Sequence, residues 1–213
     1  MNNIVAEKRF ITQNIGVPYE NLSQAYLRAE TVLTSNQSVI KFKIQQGKDS
    51  TGTVTERLLA LNDQFVITHL FFGLKSLGAS ESDAAHVKSV IETYNSSALD
   101  LTTPANGEAY YNGSFEFTID RKEYIPQFPM RAFKRVPDTQ TATDADYTGS
   151  GIDTVDGYGN GLYGFYASEP TLIDGRQTLD LSVDLGTSVD LTGSNPNYAV
   201  CELRGYLIVN SKS

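Results

Sequence analysis

The chain has 213 residues and a formal net charge of -8 at pH 7, and 40% of its residues are hydrophobic. That length suits one domain or two small ones, and a mean hydropathy of -0.27 argues against wholesale disorder. The single cysteine, Cys201, excludes an intramolecular disulfide, and the opening MNNIVAEKRF lacks the charge order of a secretory signal. Twelve Tyr, ten Phe and seventeen Gly without any Trp favour β-structure with many turns.

The negative charge is concentrated in the last third of the chain. Residues 136–213 carry 3 Lys and Arg against 11 Asp and Glu, whereas residues 1–135 carry 14 of each kind. Because so acidic a surface repels phosphates, we expect no direct binding of nucleic acid. The most basic cluster in the chain consists of Arg131, Lys134 and Arg135. We interpret it as a strand edge that faces solvent or another subunit.

Strands dominate the elements predicted along the chain. An N-terminal arm covers residues 1–34, of which 20–34 fit either a short helix or a strand. Alternating apolar residues then predict strands at 38–46, 53–61, 113–120, 161–168, 178–185 and 199–210. A weak capping box, Ser80 with Asp83, predicts one helix over 80–95. This pattern predicts an all-β fold with one or two short helices, a jelly-roll β-sandwich.

The most apolar stretch is QFVITHLFFGLKSL. It is too short and too polar to cross a membrane, which takes about 20 mostly apolar residues. Strict alternation places Phe65, Ile67 and His69 on one face and Leu70 and Phe72 on the other. Because both faces are apolar, the pattern predicts a strand inside a sandwich or sealed between subunits, with Phe65, Ile67, Leu70 and Phe72 almost fully buried.

The domain prediction is two compact jelly rolls, one over 35–120 and one over 121–213. One basis is a weak internal sequence similarity, in which YYNGSFEFTID and ELRGYLIVNSK align Gly113 with Gly205. The other is that the strand pattern appears to start again near Asp120. A single jelly roll is the alternative, because the strands that can be identified are few enough for one.

No catalytic constellation is recognisable. His69 stands alone and is interpreted as a hydrogen-bonded core or interface residue, His86 as a surface residue of the predicted helix, and Cys201 as a small buried hydrophobe. Two histidines and one cysteine offer no metal-ligand spacing. We therefore predict no enzymatic activity, no catalytic residue, no cofactor and no metal site.

Residues 137–161 interrupt the pattern of predicted strands with one long acidic stretch, which we interpret as an exposed loop. The loop contains four aspartates, Asp144, Asp146, Asp153 and Asp156. Their carboxylate oxygens are suited to calcium, but their spacing matches no complete calcium-binding loop. The G-x-G-x-x-G spacing that begins at Gly159 leads into a strand rather than a helix, so it predicts a turn. The GKDST stretch at 47–51 likewise predicts a turn.

Five phrases in chain order carry a resemblance to a known family: LNDQFVITHLFFGL, NGEAYYNGSFEFTID, FPMRAFKRVPDTQ, EPTLIDGRQTLDLSVDL and ELRGYLIV. They resemble major capsid proteins of small, tailless, lipid-containing bacteriophages, especially those of flavobacteria. The resemblance implies two upright jelly rolls per chain, trimers that contact neighbouring capsid subunits in an icosahedral shell, and a penton protein and an underlying lipid membrane as further partners. It also implies location in the virion after synthesis in the cytoplasm of a bacterial host.

Two other functions remain open at this stage. A single jelly roll fits a vertex or spike protein of a virion. A carbohydrate-binding β-sandwich module is the alternative from another class, with Tyr158, Tyr163, Phe165 and Tyr166 as a stacking platform, although such modules usually use Trp and this chain has none.

The acidic last third generates a prediction about assembly. We expect particles to loosen at low ionic strength and raised pH once divalent ions are chelated, because unpaired carboxylates then repel over a Debye length that exceeds about 10 Å below 0.1 M salt. Light scattering across salt, pH and chelator would measure this, with a variant carrying Asn at Asp144, Asp146, Asp153 and Asp156. A shell equally stable in every condition, and indifferent to the substitutions, would contradict it.

Overall fold

In the described part of the chain, eight strands form two four-stranded antiparallel sheets, in agreement with the predicted all-β sandwich. The computed structural model describes residues 2–46, 53–78, 81–96, 99–134 and 165–208. The strands are β1 (Leu22–Val32), β2 (Gln37–Phe42), β3 (Gln64–Ser76), β4 (Ser114–Ile119), β5 (Lys122–Pro129), β6 (Phe165–Asp174), β7 (Leu179–Val189) and β8 (Asn197–Ile208). The first sheet has the order β1-β8-β3-β6, and the second has the order β2-β7-β4-β5.

The two sheets mix strands from both halves of the chain, which corrects the predicted division into 35–120 and 121–213. β1 pairs with β8 along its whole length, and β7 lies between β2 and β4. The described strands therefore enclose one apolar core between the sheets. The two segments whose sequences align at Gly113 and Gly205 also differ in structure, because Gly113 follows a helix whereas Gly205 lies inside β8.

Among the described residues, three α-helices accompany the strands: α1 (Asn2–Ile15), α2 (Asp83–Lys88) and α3 (Gly107–Asn112). α2 is shorter than the helix predicted over 80–95. It begins after Ser82, whose side chain accepts a hydrogen bond from the backbone N–H of Ala85, and it ends at Ser89, which is extended. The chain then pairs Glu92 with Leu74 in β3, and this backbone pairing prevents the helix from continuing.

The N-terminal arm predicted over 1–34 is part of the fold. It contains α1 and β1, so the stretch at 20–34 that fitted either helix or strand is a strand. Conversely, the strand predicted at 53–61 is absent, because these residues make only single bridges, Arg28 with Arg57 and Gln45 with Leu59. The sequence also gave no indication of β5, whose two prolines, Pro126 and Pro129, interrupt the strand pattern.

A bulge in β3 decides which of its side chains enter the core. The register of β3 shifts between Ile67 and His69 against both neighbouring strands. Phe65, Ile67, Leu70, Phe72 and Leu74 therefore all face the core, whereas strict alternation had divided them between two faces. Gly205 in β8 lies opposite the bulge, where a Cβ atom would overlap the carbonyl oxygen of Val66.

The outer face of the first sheet is covered at both ends. At one end α1 packs Ile11 against Leu22, Val66 and Tyr206 in a second, smaller apolar cluster. At the other end, Ile91 and the Glu92 carbonyl lie against Gly73 of β3. β3 and β8 are consequently buried on both faces, as the apolar pattern of β3 had predicted.

The predicted burial of four β3 side chains is confirmed, since Phe65, Ile67, Leu70 and Phe72 are at most 2% exposed. Phe72 lies at the centre, with its ring centroid 4.8 Å from those of both Phe115 and Phe133.

We expect Phe72→Ala to lower the free energy of unfolding by about 3 to 5 kcal/mol, because the truncation leaves a cavity among rings that cannot close over it. Urea denaturation would measure the loss. Phe10→Ala serves as the control, since Phe10 is 48% exposed on α1 and its truncation should cost under about 1 kcal/mol. Equal losses for the two variants would contradict this packing.

Candidate functional site

A buried ionic cluster lies on the outer face of the first sheet. Its centre is the carboxylate of Glu30 in β1, which is 2.6 Å from the Lys75 Nζ atom in β3. Both side chains are 0% exposed. His86 of α2 completes the cluster, with its Nδ1 atom 3.2 Å from Lys75 Nζ and 3.5 Å from Glu30 Oε2.

Strand alternation explains why these charges meet. Ala29 and Leu74 point into the core, so their neighbours Glu30 and Lys75 point to the outer face. β8 lies between β1 and β3, and its Tyr198 places a ring 5.5 Å from Lys75 Nζ. The two long side chains therefore reach each other across a central strand, over the face of an aromatic ring.

Residues 53–60 form a strap that runs over this cluster. Thr53 and Thr55 donate hydroxyl hydrogen bonds to the two carboxylate oxygens of Glu30, at 2.9 and 2.7 Å. Arg28 donates to the same carboxylate from Nε at 2.9 Å. Glu30 thus accepts hydrogen bonds from β1, from β3 and from the strap.

The donors around Glu30 outweigh the cost of its burial. Burial by itself raises the pKa of Glu30, but the hydrogen bonds from Lys75, Thr55 and Thr53, with the charge of Lys75, lower that pKa to about 2. Burial lowers the pKa of Lys75, and the hydrogen bond and charge of Glu30 act in the opposite direction. The Lys75 ammonium also has His86 Nδ1 and the Thr55 hydroxyl within hydrogen-bond distance. Chemically, this arrangement is an ionic clamp between chain segments.

A polar cleft lies beside the cluster, and Arg28 belongs to both. It has a volume of about 550 Å³, and its walls come from α1, β1, β3 and β8. Charged groups of both signs line it, including Glu7, Arg28, His69, Glu202 and Arg204. Glu202 accepts a hydrogen bond from Arg204 Nε at 2.6 Å, so part of this charge is already paired. The cleft therefore presents a mixed polar surface.

Of the assignments predicted for the two histidines and the cysteine, that of Cys201 agrees with the structure, whereas His69 is hydrogen-bonded as predicted but does not lie in the core. His69 lies half-buried in the cleft with Nδ1 2.9 Å from the Thr68 hydroxyl, and burial lowers its pKa. Cys201 is 0% exposed in the core, and burial raises the pKa of its thiol. The surface assignment of His86 was wrong, because His86 is 5% exposed and lies on the side of α2 that faces Lys75 and Glu30.

The two described residues of the basic cluster, Arg131 and Lys134, do not lie on a strand edge. Arg131 and Lys134 lie in and just after a 3-10 turn, Met130–Phe133, and Lys134 Nζ is 3.2 Å from a Glu108 oxygen. Arg135 lies outside the described residues, as do the four aspartates of the acidic loop, the GKDST stretch, Gly159, Tyr158 and Tyr163. Phe165 and Tyr166 belong to β6 through their backbones.

Sequence reasoning did not find the ionic cluster. One signal was present, since Lys75 interrupts the most apolar strand of the chain and a buried lysine needs a partner. Nothing in the pattern around Glu30 identified it as that partner, because the two residues are distant in sequence and meet only through the sheet.

Within the described residues, no group of three or more His, Cys, Asp or Glu side chains is placed to hold a metal ion. The described helices include none with the length and apolar character needed to cross a membrane. Comparison of the chain with protein families, curated proteins and solved structures found no match.

The pKa of Glu30 generates a prediction about acid stability. Because this pKa lies below the ordinary 4.5, the ionised carboxylate stabilises the fold above pH 4.5, and that contribution is lost as the pH falls toward 2. We expect Glu30→Gln to lower the free energy of unfolding by about 3 kcal/mol at pH 7, where Lys75 keeps a buried charge. Urea titrations at pH 7, 4 and 3 should show the gap between wild type and variant narrowing with acid.

The control for this series is Glu123→Gln, which neutralises an exposed glutamate on β5 and should change stability by under about 0.5 kcal/mol. A gap of constant size from pH 7 to pH 3 would show that the charge of Glu30 is not what stabilises the cluster.

Proposed function

We propose that this chain is a structural subunit of a viral shell, built as a single jelly roll. The observation that carries the proposal is the strand order. Eight strands form two four-stranded sheets, β1-β8-β3-β6 and β2-β7-β4-β5, with the first strand beside the last. A double-sheet jelly roll is an eight-stranded fold of two Greek keys, and it recurs in viral capsid proteins. The resemblance of five sequence phrases to phage capsid proteins points the same way.

The single sandwich bears on which shell protein this is. Major capsid proteins of the lineage that the sequence resembles usually carry two jelly rolls, whereas the described strands form one sandwich. The proposal keeps a major capsid subunit as the first candidate because of the resemblance of the five sequence phrases. A vertex or spike protein is the second, and the presence of one sandwich is the observation that favours it.

The surface supports a role in assembly. Val87 and Val90 lie three residues apart in and just after α2, and they are 67% and 70% exposed. Apolar side chains so open to solvent are suited to contact another subunit. The proposal assigns them to contacts between neighbouring copies and assigns no catalytic role to the chain.

Electron microscopy of negatively stained, purified protein tests the proposal directly. We expect shells or rings of three-fold outline, together with sedimentation as a trimer or larger species. A monomer that binds polysaccharide would overturn the proposal and favour the carbohydrate-binding module.

A variant with Val87→Asp and Val90→Asp should reduce assembly, because it places two charges where apolar contact is proposed. Lys88→Asp is the matched control, since it changes the net charge by the same amount between the two valines but removes no apolar surface. Sedimentation velocity would compare the two. Equal loss of assembly would indicate a general charge effect, and unaffected assembly in both would place the contact elsewhere.

A further inference from the structure

The strap occupies the free edge of β1. Arg57 and Arg28 exchange two backbone hydrogen bonds, each 2.8 Å long, and these bonds point away from β8. The backbone N–H of Glu30 donates to the Glu56 carboxylate at 2.9 Å, and the other Glu56 oxygen accepts from the N–H of Thr53. Two outward N–H groups of an edge strand are therefore bonded to the strap.

The same strap is anchored at its far end. Leu59 is 1% exposed in the core, and its backbone pairs with Ile44 and Gln46 just beyond β2. The strap thus runs from the edge of the first sheet to the edge of the second. Toward the first sheet, polar contacts of the strap are made by Thr53, Thr55 and Glu56, and the Arg57 guanidinium lies over the ring of Tyr26.

Glu30 connects the edge to the strap from both its backbone and its side chain. Its N–H is held by Glu56, and its carboxylate is held by Thr53 and Thr55. The charged and titratable groups that face this carboxylate or lie next to it come from β1, β3, β8, α2 and the strap, and they are Arg28, Glu56, Arg57, Lys75, His86 and Tyr198. Glu81, just before α2, accepts a hydrogen bond from the Tyr198 hydroxyl. The Glu30 carboxylate is therefore one of the groups that hold the strap on β1, beside the Arg28–Arg57 backbone pair and the Glu56 side chain.

We propose that the strap is an edge guard: latched by the Glu30 carboxylate, it keeps β1 from pairing with the β1 strand of a second copy of this chain. An exposed strand edge presents unpaired N–H and C=O groups to any other edge. Two copies of one edge are complementary when they run antiparallel about a two-fold axis, so a second copy is the natural occupant. The inference stands whether or not the chain forms a viral shell.

One edge of the second sheet is protected in a different way. β5, at the edge of the second sheet, contains Pro126 and Pro129, which cannot donate backbone hydrogen bonds. β1 contains no proline over eleven residues, Leu22–Val32. Because β1 lacks this intrinsic protection, the strap supplies it.

Thr53→Val combined with Thr55→Val tests the latch. Valine keeps the branched shape of threonine, so the variant removes two hydroxyl donors and leaves the Lys75 and Arg28 bonds to Glu30 intact. We expect amide hydrogen exchange at Arg28 and Glu30 to accelerate about tenfold or more, because strap opening becomes easier, while the amides of β7 keep their protection. Sedimentation velocity should then show larger species than wild type at the same concentration.

Two further variants make the result specific. Thr192→Val is the matched control, because it also removes a hydroxyl that donates to a carboxylate, that of Asp190 at 2.6 Å, but lies away from the strap. Arg28→Pro, added to the double valine variant, removes an outward N–H from β1 and should abolish the new association. If the double variant does not fold, Thr53→Val alone should give the same changes with smaller amplitude.

Each alternative outcome contradicts a stated part of the proposal. Unchanged exchange at Arg28 and Glu30 overturns the latch. Faster exchange without larger species contradicts the claim that the strap prevents association of two copies. Association that survives Arg28→Pro means that the new contact is not pairing at the β1 edge, and equal acceleration in β7 means that the strap does not open separately from the sandwich.

Discussion

The structure depends on the burial of two central strands on both of their faces. β3 and β8 lie side by side in the middle of the first sheet, and almost every residue in them is buried. The second sheet covers one face. The other face needs its own cover, which α1 supplies at one end and the strap with residues 81–96 supplies at the other. A chain with apolar side chains on both faces of a strand is stable in water only if both covers form.

The second cover is held partly by charge. Apolar contact would bury more surface without desolvating ions, and a buried ion pair contributes little stability by itself. Hydrogen bonds to a carboxylate are directional, however, and those to Glu30 come from separate chain segments. They therefore select one placement of the strap on β1. Lys75 and His86 extend the same selection to β3 and α2.

Edge protection matters for any protein that works in large assemblies. A subunit of a shell has to bind its neighbours through chosen surfaces and leave its other surfaces inert. In the described part of this sandwich, prolines protect β5 and the strap protects β1. The exposed valines at and after α2 belong to neither of these two edges.

The all-β class, the burial of Phe65, Ile67, Leu70 and Phe72, and the apolar setting of Cys201 followed from the sequence alone, because local alternation and composition carry that information. The tertiary structure decided the rest. One backbone bulge moved Leu70 and Phe72 to the same face as Phe65, and no residue pattern encodes a bulge in advance. Pairing of the first strand with the last merged the two predicted barrels into one sandwich, and it is this long-range pairing that brings Glu30 within reach of Lys75. Contacts between residues far apart in the chain depend on the whole set of strand pairings, which local sequence does not specify.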